Sequence, residues 1–295
     1  MDCYGFYEAA SKLVNLFRIS ILDQHNYLLD LNIVSQSELE RLQAIHMIWS
    51  LMEILFNSQY YIDDDVEASF KFNSLFSNWY IYNFPLDNSL PIESIIFRCI
   101  LQGNLPVALQ LLEEHHLSIL SKNSSSFGFD QTTFQLYSSF IEFIKLHPVL
   151  CNSNGSNLNQ FQFTQKRSIL KMKALSFNNK DHFLYKACLI VVGNDQFLLE
   201  FSENWLEYLL ASHLYIPEHE LSYDSRFELA KKCYLDLGDC DNETNSLVES
   251  CLYSMLAANF GELFVHVSNF DFWLSAHLIF FYCGSGMCSE ENLKM

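Results

Sequence analysis

The stretch Cys99-Ile-Leu-Gln-Gly-Asn-Leu-Pro-Val-Ala-Leu-Gln-Leu-Leu-Glu113 constrains the fold more than any other part of this 295-residue chain. Gly103 stands where the last turn of a helix wants a left-handed residue, a conformation glycine adopts without steric penalty. The helix that Gly103 closes starts at Ser89-Leu-Pro91, with the proline in the first turn, where its missing N–H costs nothing. Asn104 and Pro106 open the next helix at once. So short a connection folds the two helices back on each other as an antiparallel hairpin. Such hairpins are the unit from which α-solenoids are stacked.

The junction recurs. A helix over residues 182–192 ends at Gly193-Asn194-Asp195 and restarts toward Leu198, Phe201, Trp205 and Leu209. A helix after Pro217 ends near Gly238, and one over 247–258 meets Asn259-Phe260-Gly261 before two further stretches reach Trp273, Leu274, Leu278 and Phe281. The glycines at 103, 193 and 261 are unevenly spaced, so no fixed-period repeat exists. Upstream, Phe6, Ala10, Leu13, Phe17, Ile21 and Leu28 form one helical stripe. The sequence Ser37-Glu-Leu-Glu40 reads as a capping box. It opens a helix through Leu39, Leu42, Ile45, Trp49, Met52 and Phe56, whose other side carries Ile48, Leu51 and Leu55. A helix apolar nearly all round must be covered on most sides. Phe70, Phe76, Trp79 and Tyr82 follow before Pro85, while Phe134, Tyr137, Ile141 and Ile144 share a helix stopped at Pro148. No segment shows convincing strand alternation. The expected fold is all-α, an irregular α-solenoid of stacked antiparallel helix pairs. It forms a single stack over 1–283, with loops near 121–130 and 151–160 and a disordered tail at 284–295.

Half the residues are hydrophobic, and 26 Phe and 15 Tyr supply the bulk that fills layers between helix pairs. The formal charge of −18 would repel nucleic acid and disfavours an anionic membrane surface. Lys166, Arg167, Lys171 and Lys173 are a local exception, read as a solvated face or as a docking patch for an acidic partner. Nine scattered cysteines without a CxxC pair point to a reducing compartment and no structural zinc. The amino terminus lacks the basic and apolar regions of a signal peptide. The uncharged run 272–289 contains His277, Gly284 and Gly286 and reads as a buried helix, so no transmembrane segment is expected.

No dinucleotide, phosphate-loop, zinc-protease or serine-hydrolase motif occurs. His115 and His116 are adjacent, so they point about 100° apart on a helix and cannot easily share an ion. They read instead as a polar helix end. Asp63-Asp64-x-x-Glu67 resembles the magnesium-binding run of isoprenoid synthases. No second metal motif and no basic cluster to grip a diphosphate accompany it, and an acidic turn before a helix start explains it. No enzyme activity, catalytic residue, cofactor or metal is expected.

Four segments, taken in order, resemble the nucleoporin-85 (Frount) family. Ala44-Ile-His-Met-Ile-Trp-Ser-Leu-Met-Glu-Ile-Leu-Phe56 is similar to its Trp-containing helix. Residues 100–112 resemble its "LQG.L..A..LL" hairpin. Leu189-Ile-Val-Val-Gly-Asn-Asp195, with Asn204-Trp205 and Leu214-Tyr-Ile-Pro217, resembles its "GD … NW … LLY..P" stretch. Leu256-Ala-Ala-Asn-Phe260, with Phe272-Trp273-x-x-Ala-His-Leu278, resembles its "LLAAF … WW..AHL" stretch. The resemblance covers roughly residues 40 to 280. It implies a coat-like helical scaffold of the Y-shaped complex of the nuclear pore, in the nucleus at the nuclear envelope. That role would support pore assembly, mRNA export and protein import through contacts with other Y-complex nucleoporins. Family members also give a β-blade from an N-terminal extension to a Sec-thirteen-like WD-repeat propeller. Here residues 1–39 read as helix and the chain ends in a Gly/Ser-rich run, so a partial chain is expected and contact with the propeller is in doubt. The alternatives are another helical vesicle-coat or tethering scaffold and, remotely, the isoprenoid-type enzyme using Asp63, Asp64 and Glu67.

Overall fold

The computed structural model describes residues 12, 15–27, 35–58, 66–87, 89–123, 131–147, 157–180, 182–216, 226–238 and 243–284. These form helices, with no strand among the described residues. They are α1 (15–27), α2 (Gln36–Asn57), α3 (Val66–Asn83), α4 (Ile92–Leu101), α5 (Leu105–Asn123), α6 (Gln131–Lys145) and α7 (Asn157–Ser176). There follow α8 (Phe183–Val191), α9 (Asp195–Phe201), α10 (Trp205–Tyr215), α11 (Arg226–Leu237), α12 (Glu243–Leu256), α13 (Phe260–Phe270) and α14 (Phe272–Gly284).

The chain divides into two compact units, one of residues 1–79 and 223–295, the other of residues 80–222. In the first, α2 packs on α12, α12 on α11 and α13, and α13 on α14. The unbroken burial of Ile48, Trp49, Ser50, Leu51 and Met52 bears out the expectation of a helix covered on most sides. Phe17 of α1 lies 4.1 Å from the Trp49 ring and 4.6 Å from the Trp273 ring, centroid to centroid. Arg41 of α2 pairs with the buried Asp271 at the α13–α14 corner, and Asp271 also caps α14 by accepting from the Leu274 N–H at 2.8 Å.

In the second unit, successive helices from α4 to α10 pack on one another, and α10 returns to pack against α4. The α4–α5 and α8–α9 connections turn on Gly103 (φ +72°) and Gly193 (φ +74°), as the sequence leads one to expect. At Gly193 the Asn194 N–H donates to the Leu189 carbonyl at 3.0 Å and the Gly193 N–H to that of Ile190 at 2.9 Å, a Schellman closure. The third junction differs from expectation. Gly261 lies inside the first turn of α13, and the left-handed residue is Ala258 (φ 54°). There Asn259 donates to the Ser254 carbonyl at 2.8 Å, the same closure built on alanine. The repeating unit is therefore a left-handed small residue followed by Asn, at 103–104, 193–194 and 258–259. In the last two, the Asn side chain caps the next helix.

Other boundaries shift as well. The cap of α2 is Ser35, whose hydroxyl accepts from the Glu38 N–H, so the capping box is Ser35–Glu38 rather than Ser37–Glu40. A serine two residues earlier serves as the cap and takes Gln36, Ser37 and Glu38 into the first turn of the helix. Helix α5 continues through Asn123 and α7 begins at Asn157, so the ends of both expected loops are helical. Polar composition alone is a weak bar to helix formation. The rest of those loops, with residues 285–295, lies outside the described residues, while Gly284 ends α14. The buried stripe of α6 is Leu136, Tyr137, Phe140, Phe143 and Ile144. It includes Phe140 and Phe143 at the expense of Phe134 and Ile141, because the ring-rich side offers more apolar area to its neighbours.

Candidate functional site

The densest polar construction is in the second unit and is centred on α10. Every residue of that helix except His213 is buried. A helix with no solvent face must meet its polar groups from within the protein. Those at its N-terminus are met by side chains, while the Ser212 hydroxyl is buried with no hydrogen-bond partner among the described residues. Asn204 is the N-cap: its Oδ1 accepts from the Glu207 N–H at 2.9 Å, and its Nδ2 donates to the Tyr80 hydroxyl at 2.9 Å. The Glu207 carboxylate reaches back to accept from the Glu203 N–H at 2.8 Å, in the manner of a capping box.

Arg98, near the end of α4, ties this helix start to its own. Its guanidinium pairs with Glu207, donates to the Phe201 carbonyl at 2.5 Å and lies 3.2 Å from Glu203. The Arg98 side chain keeps 14% of its surface and Glu207 none, so the pair is drawn almost wholly out of water. Burial pushes the Glu207 carboxyl up to about 7, against the opposing pull of the Arg98 charge and a hydrogen bond from Gln102. At the other end of α10 the Tyr215 hydroxyl donates to the Ile100 carbonyl at 2.6 Å. A Cβ on Gly193 would stand 2.4 Å from the Tyr215 carbonyl oxygen, so only glycine admits this approach. His147 faces the Leu214 carbonyl at 3.3 Å, and its complete burial lowers its pKa to about 4. In short, Ile100 and Gln102 of one sequence segment, Gly193 of a second, Asn204 of a third and Tyr215 of a fourth meet around one helix.

The sequence's candidate site residues fare differently. Asp63 and Asp64 lie outside the described residues, as does the side chain of Glu67. His115 and His116 are in mid-α5, not at a polar helix end: α5 runs on to Asn123. Both turn to α6, with His115 Nδ1 2.8 Å from the Tyr137 hydroxyl and the His116 ring stacked on Tyr137 at 4.9 Å. The basic run on α7 divides. Arg167 is buried and bonds to the Val192 carbonyl, whereas Lys166, Lys171 and Lys173 stay on the surface or its margin. Among the described residues no group of three or more His, Cys, Asp or Glu could hold a metal ion. No described helix is long and apolar enough to cross a membrane.

A family model described as Nup85 Nucleoporin matches residues 94–291. The chain belongs to the Nup85 nucleoporin family. A search of curated proteins gives no match. The family match takes in the hairpin, the α8–α10 stretch and the α12–α14 stretch, while the Ala44–Phe56 helix precedes it. Family membership gives the chain a nuclear pore scaffold character and places it at the nuclear pore complex in the nuclear envelope, with other nucleoporins as partners. Nucleoporin scaffolds of this kind are generally not enzymes. The "LQG", "NW" and "LLY" segments are thus structural. Asn204 caps, Trp205 is fully buried, and Tyr215 closes onto the Gly103 hairpin.

Sequence reasoning missed the Arg98–Glu207 pair. Two signals were present. A lone cation in the apolar run Ile95-Ile-Phe-Arg-Cys-Ile-Leu101 calls for a buried partner. Asn204-Trp-Leu-Glu207 has the cap-x-x-Glu spacing of a capping box.

Proposed function

We propose that this chain is a non-catalytic scaffold of the Y-shaped complex, built as an irregular α-solenoid, that supports pore assembly, mRNA export and protein import by presenting helix faces to other Y-complex nucleoporins. The observation that carries the reading is the use made of the family segments. Their polar and aromatic residues lock helix to helix around α10, where a catalytic protein would line a cleft with convergent reactive groups. In a scaffold the function is the geometry held between partners, so sequence signatures fall on the residues that set helix packing. Contact with the Sec-thirteen-like propeller belongs, by the resemblance, to an N-terminal blade, and the proposal here concerns the helical contacts. Residues 1–283 are taken as one stack, for which a single cooperative unfolding transition is expected and two separable transitions would count against it.

Depletion of the protein, with imaging of polyadenylated RNA and of a fluorescent import cargo, tests the transport role. Nuclear retention of RNA and slowed import, restored by the re-expressed chain, are expected. Normal transport with intact pores would contradict the reading.

A further inference from the structure

We propose that the outward face of α7 is a docking strip for an acidic amphipathic helix of a partner protein. Ile169, Met172 and Leu175 are 42%, 72% and 56% exposed. At about 100° per residue they fall within 60° on either side of Met172. That is opposite the buried Arg167, Leu170 and Ala174, through which α7 holds to its own unit. Gln165, Ser168 and Ser176 fall in the same outward arc, so the outer face is a narrow apolar strip interleaved with small polar side chains. Its apolar residues are exposed while the inner ones are buried.

The margins of the outer face are basic. Lys166 and Lys173 run along one side of the strip and Lys171 along the other, all at least partly exposed. Lys166 meets Glu142 of α6 at 3.0 Å and Lys173 donates to Ser139 at 2.6 Å, which props both at the rim without burying them. From residue 143 to 180 the chain contains six cations and no Asp or Glu, within a protein of net charge −18. This sign reversal coincides with the uncovered apolar strip, and charge complementarity identifies the occupant. It is a helix with Leu or Ile at i, i+3 and i+4 and carboxylates on both flanks. A membrane is the weaker fit: the strip has no aromatic anchor, spans about 9 Å along the helix, and belongs to a chain whose overall charge an anionic surface repels. The same net charge opposes pairing with a second copy.

The inference deepens the scaffold reading and rests on it, yet its test stands apart from localisation and transport. The full chain is titrated against a fluorescent synthetic helix of about twenty residues, with Leu at the a and d heptad positions and Glu at e and g. A Lys-for-Glu version of the peptide and phosphatidylserine vesicles run alongside, with sedimentation of the chain alone. Met172→Asp and the pair K171E/K173E alter exposed positions, and circular dichroism checks that each variant is folded. Saturable binding of the Glu peptide is expected, weakened about tenfold by either variant and by raised salt, with little binding of the Lys peptide. Any of four results overturns the proposal: no binding of the Glu peptide, equal binding by the variants, vesicle binding that the variants abolish, or self-association that Met172→Asp abolishes.

Discussion

At the level of single residues, backbone conformation decides more than side-chain chemistry. Gly193 combines a φ of +74° with a backbone oxygen 2.4 Å from where a Cβ would sit. Gly193→Ala is expected to lower stability by about 2–4 kcal/mol, the left-handed penalty and the clash together. Gly261 sits in a helix with open space around its Cβ position. Gly261→Ala should therefore raise stability by about 0.5–1 kcal/mol. Thermal denaturation of the two variants separates the readings, since the sequence alone treats these glycines as equivalent. The Gly-Asn junctions at 103 and 193 were legible because glycine advertises a left-handed turn. The third was not, because Ala258 takes that conformation without the residue that signals it. His147 adds a pH dependence. It is neutral in the folded state, with its pKa lowered to about 4 by burial, while the unfolded side chain titrates near the ordinary value of 6.5. Stability is therefore whole above the unfolded value and is lost as pH falls through this window, by about 3 kcal/mol at pH 4. Denaturant titrations from pH 7 to 4 should show this slope in the wild type and its loss in His147→Phe.

At the level of helices, the Arg98–Glu207 pair fastens α4 to α10. Removing the carboxylate leaves the almost fully buried Arg98 charge without its Glu207 partner, so Glu207→Leu is expected to lower stability by about 3–5 kcal/mol. The double replacement Arg98→Met with Glu207→Leu should recover most of that loss, because two buried charges leave together. Equal losses in single and double variants would contradict the pairing. Glu207 contributes a pH slope opposite to that of His147. Its raised folded value means that stability declines as pH climbs from the ordinary carboxylate range toward 7. Helix existence was readable from apolar periodicity in α2 and from the closing glycine junctions of α4 and α8. Helix faces were less readable. The stripe of α6 was assigned to Phe134 and Ile141, yet Phe140 and Phe143 are buried, because both sides carry large apolar residues and only the neighbours choose between them. Arg98 and Glu207 stand 109 positions apart in sequence, and nothing local announces which carboxylate a lone buried cation will meet.

At the level of the molecule, class and family were legible for one reason: the same segments carry both. The junction at Gly103, the cap at Asn204 and the ring at Tyr215 hold one packed unit together, and they are also the pieces that mark the Nup85 nucleoporin family. Partner surfaces leave no comparable mark, since an interface Ile and a core Ile read alike in sequence. The α7 strip emerged only when exposure separated Ile169, Met172 and Leu175 from Leu170 and Ala174. Quantitative affinity purification of the tagged full chain, expressed at its native level, tests the scaffold account most directly. Y-complex nucleoporins are predicted to co-purify in near-equal amounts and to persist through a salt wash. Recovery of vesicle-coat subunits alone, with no nucleoporin above the untagged control, would contradict it.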